Sequence, residues 1–389
     1  MIALQSILDN DFYKFTMQQC VVKLFSRAKA RYRFINRGKH SFPEGFAETL
    51  KQSVHAMGLL KLTKEEKQWL AFTCPYLDPV YLDFLEGYCY DPSEVKIVQQ
   101  GDQLDVFIEG YWYRTILWEV PLLCLISENY YALHSQQRES DEAVIEKTRN
   151  KIEAYGDLGV SIAEFGTRRR HSFRVHQMVV SALKQYGKTF VGTSNVHLAM
   201  VNQTKPIGTH AHEWFMFHAA KYGFKVANIM ALEHWVDIYR GDLGIAVSDT
   251  FTTDEFYEVF DKKFAKLFDG VRHDSGDPLE FADKTIQHYK GKCVDPLSKT
   301  FIFSDALDLQ KVRQIAAYCQ NKIGISFGIG TNFTNDVGLK PMNIVIKMTE
   351  ALPEAEPWTP VVKLSDVPGK QSGDEHTIKL AREVLGVRG

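Results

Sequence analysis

Four short apolar runs in the second half of the chain, Leu243–Val247, Gly270–Arg272, Thr300–Phe303 and Ile323–Phe327, constrain the fold more than any other feature. They recur roughly 23–30 residues apart, the length of a strand plus a returning helix. Amphipathic patterns fill the intervals, opened by Thr252…Glu255 and Asp277-Pro278…Glu280, the signatures of capped helix starts. Val160–Glu164 and Thr189–Gly192 extend the series backwards. Six such units predict an α/β fold with a closed, somewhat irregular parallel αβ barrel over residues 136–344. Upstream, Val95–Val98, Gln103–Ile108 and Gly110–Arg114 alternate as short strands, and Thr63-Lys-Glu-Glu66 opens a helix. Asn343–Lys347 and Pro360–Leu364 return to strand-like alternation and are expected to rejoin that first sheet. Residues 1–135 with 345–389 therefore read as a second, α+β domain.

Composition removes several functional classes. The chain has 389 residues, and its 46 Lys+Arg balance 48 Asp+Glu to a net charge of −2, so no basic field recruits nucleic acid or anionic lipid. The longest clean apolar stretch, Val120–Ile126, falls far short of a membrane span. The start MIALQSILDNDFYKF lacks the basic region of a secretory signal. Six cysteines without C-x-x-C spacing predict reduced thiols and a cytoplasmic protein.

In a parallel αβ barrel, reacting groups project from the C-terminal ends of the strands. Here those ends carry Phe165-Gly-Thr-Arg-Arg-Arg170, Thr193-Ser-Asn195, Ser248-Asp249-Thr250, Arg272-His-Asp-Ser-Gly-Asp277, Ser304-Asp305 and Gly328-Ile-Gly-Thr331, with Gly208-Thr-His-Ala-His-Glu213 between two units. These groups suit a phosphorylated, polyhydroxylated substrate. Gly328, Gly330 and Thr331 could cradle a phosphate. Arg168, Arg169 and Arg272 offer planar forks for carboxylate or phosphate. Asp249, Asp274, Asp277 and Asp305 could hold ribose hydroxyls or Mg²⁺.

Plainer roles compete with these. Gly-x-Gly after a strand is often only a turn, Asp277 followed by Pro278 and Glu280 is a ready helix N-cap, and Ser304 and Asp305 could cap the next helix. His212 could be a satisfied structural histidine, one half of a His210/His212 metal pair in a barrel hydrolase, or a nucleophilic imidazole oriented by a carboxylate, with Asp249 or Glu213 as partner. Two nucleotide motifs fail: Gly187-Lys-Thr189 has Ala182 where a P-loop needs glycine, and Gly328-x-Gly330 has Phe333 where a dinucleotide fingerprint needs glycine or alanine.

Asp11-Phe-Tyr-Lys-Phe-Thr-Met17, Phe165-Gly-Thr-Arg-Arg169, Gly192-Thr-Ser-Asn195, Gly208-Thr-His-Ala-His-Glu213, Arg272-His-Asp-Ser-Gly-Asp277, Phe303-Ser-Asp305 and Phe327-Gly-Ile-Gly-Thr331 occur in that order. Together with Val362–Lys370 they resemble the nicotinate phosphoribosyltransferase family, a type II phosphoribosyltransferase family, over nearly the whole chain. The resemblance implies an open-faced sandwich domain beside the barrel and a homodimer with active sites at its interface. It implies that nicotinate and 5-phosphoribosyl 1-pyrophosphate give nicotinate mononucleotide and pyrophosphate in NAD salvage. ATP and Mg²⁺ are the implied cofactors, with ATP hydrolysis coupled through a phosphohistidine at His212.

By the same resemblance, His212, Asp249 and Asp274 are catalytic, and Asp274 addresses the ribose and pyrophosphate with Arg272 and approaches Mg²⁺ through the substrate. Tyr13 stacks on the pyridine ring, Arg168 or Arg169 takes the nicotinate carboxylate, and Thr209, Arg272, Ser304, Asp305, Gly328, Gly330 and Thr331 contact substrate. The competing expectations are a nicotinamide- or quinolinate-type phosphoribosyltransferase and the His210/His212 metal hydrolase.

Overall fold

The computed structural model describes residues 4–134, 137–354, 357–367 and 369–387. Thirteen strands lie among them. The first three are β1 (Lys29–Asn36), β2 (Val95–Gln100) and β3 (Gln103–Tyr111). Next come β4 (Ser161–Glu164), β5 (Phe190–Thr193), β6 (Lys205–Pro206), β7 (Arg240–Leu243), β8 (Ile245–Val247), β9 (Gly270–His273), β10 (Thr300–Phe303) and β11 (Gly324–Ile329). The last two are β12 (Ile344–Leu352) and β13 (Thr359–Pro360).

The α/β class holds, with one correction to the barrel. Seven strands form one sheet in the order β6-β5-β4-β11-β10-β9-β8. Its two end strands are not paired with each other, so the parallel sheet is a half-barrel and not a closed ring. The strands predicted from the apolar runs match β4, β5, β8, β9, β10 and β11 to within two residues at each end. Of the run from Leu243, Ile245–Val247 joins the sheet. β6, two residues long, carries too little pattern to be foreseen.

β8, β9, β10 and β11 run parallel, with Val247 opposite Arg272 and Arg272 opposite Ile302. This register brings the chain out at 248–250, 274–277 and 304–305 along one sheet edge. Gly270 permits it, because a Cβ there would meet the Thr300 carbonyl oxygen at 1.7 Å. Buried Val271, Phe301, Phe303 and Phe327 fill the strand faces, with Phe303 stacked on Phe327 at 5.6 Å.

The second sheet has the order β13-β12-β1-β3-β2, so the late strands do rejoin the N-terminal ones. Lys29 faces Tyr111 in the antiparallel β1–β3 pair. Gly110–Arg114, expected as a strand, splits instead: β3 ends at Tyr111 and Trp112–Thr115 forms a helical turn around the buried Trp112. Of Pro360–Leu364 only Pro360 lies in a strand.

Helix starts follow the sequence signals. Thr63 and Glu66 form a reciprocal capping box, Thr252 accepts from the Glu255 N–H, and Asp277 accepts from Leu279 and Glu280 ahead of Pro278. The chain divides into two compact units. Unit 1 contains residues 4–156, 163–208 and 329–348, and unit 2 contains 157–162, 209–328 and 349–387. The boundary expected between 135 and 136 lies outside the described residues.

Candidate active site

Unit 2 gathers a compact charged cluster around His212, the first residue of the helix His212–Tyr222. Nε2 lies 2.9 Å from Asp274 Oδ2 and 3.7 Å from Asp249 Oδ1, and Nδ1 lies 3.0 Å from Thr250 Oγ1. Asp274, and neither Asp249 nor Glu213 as expected, is thus the acid in hydrogen-bond contact with the ring, with Asp249 next to it at 3.7 Å. Asp249 and Thr250 follow β8 and Asp274 follows β9, so the strand register itself delivers them.

A fourth member comes from the C-terminal segment. The Lys363 ammonium stands 3.0 Å from His212 Nε2, 2.9 Å from Asp249 Oδ2 and 3.7 Å from Asp274 Oδ2. Its side chain is 8% exposed. Burial, and then this ammonium, push the His212 imidazole below its ordinary pKa against the pull of both aspartates. Burial pushes Asp274 up, but Arg272, His212 and Lys363 outweigh it and hold the carboxyl well below the usual range. Asp249 is lowered in the same way, its burial offset by His212 and Lys363. The outcome is an imidazole of lowered pKa set between two carboxylates and one ammonium.

Other expected residues have partners of their own. Ser304 Oγ donates to Asp274 Oδ1 at 2.9 Å, and Arg272 Nη1 reaches the His210 carbonyl at 3.4 Å. Asp305 pairs with Lys370 at 2.6 Å. Thr209 Oγ1 donates to the Ile245 carbonyl at 2.7 Å. Ser304 and Asp305 are not helix caps, because Asp308 caps the helix that follows. Asp277 does cap its helix. Gly328 is a buried residue of β11, so of the Gly-x-Gly pair only Gly330 lies in a turn, just before the short helix Thr331–Thr334.

His210 does not join the cluster. Its ring is buried against Trp235 and Phe215, and Nε2 accepts the Val247 N–H at 3.2 Å. Among the described residues, the only group of three metal-type donors within reach of one another is His212, Asp249 and Asp274. Lys363 already supplies positive charge at that point, and one donor is a nitrogen. Mg²⁺ prefers an octahedral oxygen shell, so this set does not fit a magnesium ion held by the protein alone.

Unit 1 carries a second cluster. Tyr13 is 7% exposed in the helix Phe12–Leu24. Gly208, at φ +150°, lets the chain pass its backbone: a Cβ there would lie 3.0 Å from the Tyr13 nitrogen. Lys14 is buried and pairs with Glu119 at 2.5 Å, and Arg168 Nη1 lies 3.6 Å from the same carboxylate. Arg169 differs from both. Burial, reinforced by Arg168 and Arg37, lowers its guanidinium to about 10. A desolvated guanidinium beside like charges is a strong attractor for an anion.

Sequence reasoning assigned no role to Lys363, Thr250, Ser275 or Lys370. The one available signal for the lysines was their place in Val362–Lys370, within which Pro368 lies outside the described residues.

Comparison with known proteins draws these observations together. The model of the "Nicotinate phosphoribosyltransferase (NAPRTase) family" matches residues 160–388, and that of its N-terminal domain matches 8–127. A nicotinate phosphoribosyltransferase of Chromohalobacter salexigens is 63% identical over 385 residues, covering 99% of each chain. A second relative, nicotinate phosphoribosyltransferase 2 of Pseudomonas aeruginosa, is 42% identical over 98% of this chain and 97% of its own. The crystal structure of a nicotinate phosphoribosyltransferase from Porphyromonas gingivalis superposes with a TM-score of 0.96 at 45% identity, over 99% of this chain and all of that one (100%). Likeness of this extent, in sequence and in three dimensions, leaves one conclusion: the chain is a member of the nicotinate phosphoribosyltransferase family.

Proposed function

We propose that this chain joins nicotinate to 5-phosphoribosyl 1-pyrophosphate, giving nicotinate mononucleotide and pyrophosphate in NAD salvage, with ATP hydrolysis coupled through phosphorylation of His212. The observation that carries this reading is the His212 ring seated between Asp249, Asp274 and Lys363. A neutral imidazole keeps the lone pair that attacks the γ-phosphorus of ATP. The N–P bond forms as the bond to ADP breaks, and water later cleaves N–P to release phosphate. Lys363 and Arg272 stand where the two added negative charges need balancing.

At the sugar no protein nucleophile is required, because the pyridine nitrogen attacks the anomeric carbon as pyrophosphate leaves. Positive charge grows on the ribose, and Asp249 and Asp274 are the anions that stabilise it. Arg272 takes the pyrophosphate, Ser304, Asp305 and Thr209 contact the donor, and Gly330 and Thr331 receive the 5′-phosphate. A magnesium ion bound together with the donor would supply positive charge to the pyrophosphate leaving group beside Arg272. In unit 1, Tyr13 stacks on the pyridine ring and Arg169, backed by Arg168, binds the carboxylate. Residues 1–135 with 345–389 serve as the sandwich domain and 136–344 as the phosphoribosyltransferase domain. The chain works in the cytoplasm as a homodimer with active sites at the interface.

The test is an incubation with the phosphoribosyl donor, Mg²⁺, ATP and either nicotinate or nicotinamide, following both mononucleotide and phosphate. The account expects strong preference for nicotinate. Equal use of the two bases overturns the assignment of Arg168 and Arg169 to a carboxylate.

A further inference from the structure

The segment that carries Lys363 to His212 is strapped down by several hydrogen bonds, among them a latch from Asp366 to Thr253. Lys363 itself pairs backbone to backbone with Ser372, at 2.8 and 2.9 Å, and the Leu364 N–H donates to the Thr250 carbonyl at 2.8 Å. Ser365 follows at φ +63°, a left-handed turn that serine rarely adopts. Ser365 Oγ and the Asp366 N–H both donate to Ser275 Oγ, at 2.9 and 3.2 Å, while Ser275 Oγ donates to Asp249 Oδ2 at 2.5 Å. Asp366 completes the strap. Its Oδ1 accepts the Thr253 N–H at 2.7 Å and its Oδ2 accepts the Thr253 hydroxyl at 2.5 Å.

Asp366 lines a cavity of about 700 Å³ with Glu280, Lys284 and Arg382, whose wall contains none of His212, Asp249 or Asp274. Its work is therefore indirect. We propose that Asp366 is a positioning residue: by latching the strap to Thr253, it holds the Lys363 ammonium against His212. The carboxylate is specific to this task because both of its oxygens accept hydrogen bonds from one residue. An amide of the same shape has only one acceptor oxygen and turns an N–H₂ toward one of the two donors.

The proposal rests on the phosphohistidine reading for its consequence, but its first test does not. Asp366→Asn is nearly isosteric, and the His212 ring can be titrated by NMR in the otherwise intact protein. The charged and titratable groups around the ring are Lys363, Asp249 and Asp274, with Arg272 and neutral His210 next to them. Withdrawing the ammonium removes a nearby positive charge, so the imidazole titration should move upward. Lys363→Met should move it the same way, and the double variant should go no further than Lys363→Met alone. An unmoved titration in Asp366→Asn, or additive shifts in the double variant, overturns the latch.

The second test follows label from γ-labelled ATP into His212. Losing one charge-assisted hydrogen bond of the latch should slow labelling about tenfold or more in Asp366→Asn, while ATP-independent mononucleotide formation stays within about twofold. Unchanged labelling, or equal loss of both activities, counts against the proposal. Absence of label in the unsubstituted protein, with the titration shift intact, removes the phosphohistidine reading and leaves the latch standing.

Discussion

In the proposed reaction His212 takes the phosphoryl group, and its surroundings set when it can react. Burial and Lys363 lower its pKa from the ordinary 6.5, so the ring stays neutral where a free imidazole would bind a proton. A lowered histidine pKa moves the loss of nucleophile to more acidic solution. The initial rate of ATP-dependent phosphate release should thus fall with acidification and reach half its plateau below pH 6.5. A half-maximal point at or above 6.5 contradicts this picture. At this scale the sequence was legible in part. Asp249, Asp274 and Ser304 could be named because each follows a strand whose pattern is plain, and Arg272 because it lies within one. Lys363 could not, since it meets His212 across 151 residues and no local periodicity encodes that meeting. The choice of Asp274 over Glu213 as the ring's hydrogen-bond partner likewise depends on side-chain direction.

At the scale of elements, strand positions were readable because a buried parallel strand between amphipathic helices leaves an unbroken apolar run. Closure was not, since it depends on what lies beyond the two-residue β6 and the three-residue β8. Trp112–Thr115 failed because aromatic alternation looks like a strand, while burial of Trp112 favours a turn of helix. The strand-end loop of unit 1 depends on a buried charge network that the sequence also did not reveal. Arg170 donates to Asp9 at 2.6 and 2.8 Å and to Glu128 at 2.7 Å, and Asn195 donates to Asp9 at 2.7 Å. All three charged side chains are at most 5% exposed. Arg170→Met strands two carboxylates without a cation, and should cost roughly 3–5 kcal/mol. Urea unfolding measures it, and a midpoint equal to that of the unsubstituted protein would show that the network carries no such burden.

For the molecule as a whole, the half-barrel presents a row of strand ends, and the chain returns after β12 to add Lys363 and Lys370 to them. The family model and the relatives cover both units, so the chemistry belongs to the full chain. The central claim is that one imidazole links two reactions, ATP hydrolysis and mononucleotide formation. The direct measurement is to follow both products in one vessel, with nicotinate, phosphoribosyl donor, Mg²⁺ and ATP, for the unsubstituted chain and for His212→Ala. The account predicts that phosphate and mononucleotide rise together in the first, and that the variant makes mononucleotide slowly with no ATP-dependent phosphate. ATP stimulation that survives unchanged in His212→Ala would contradict it.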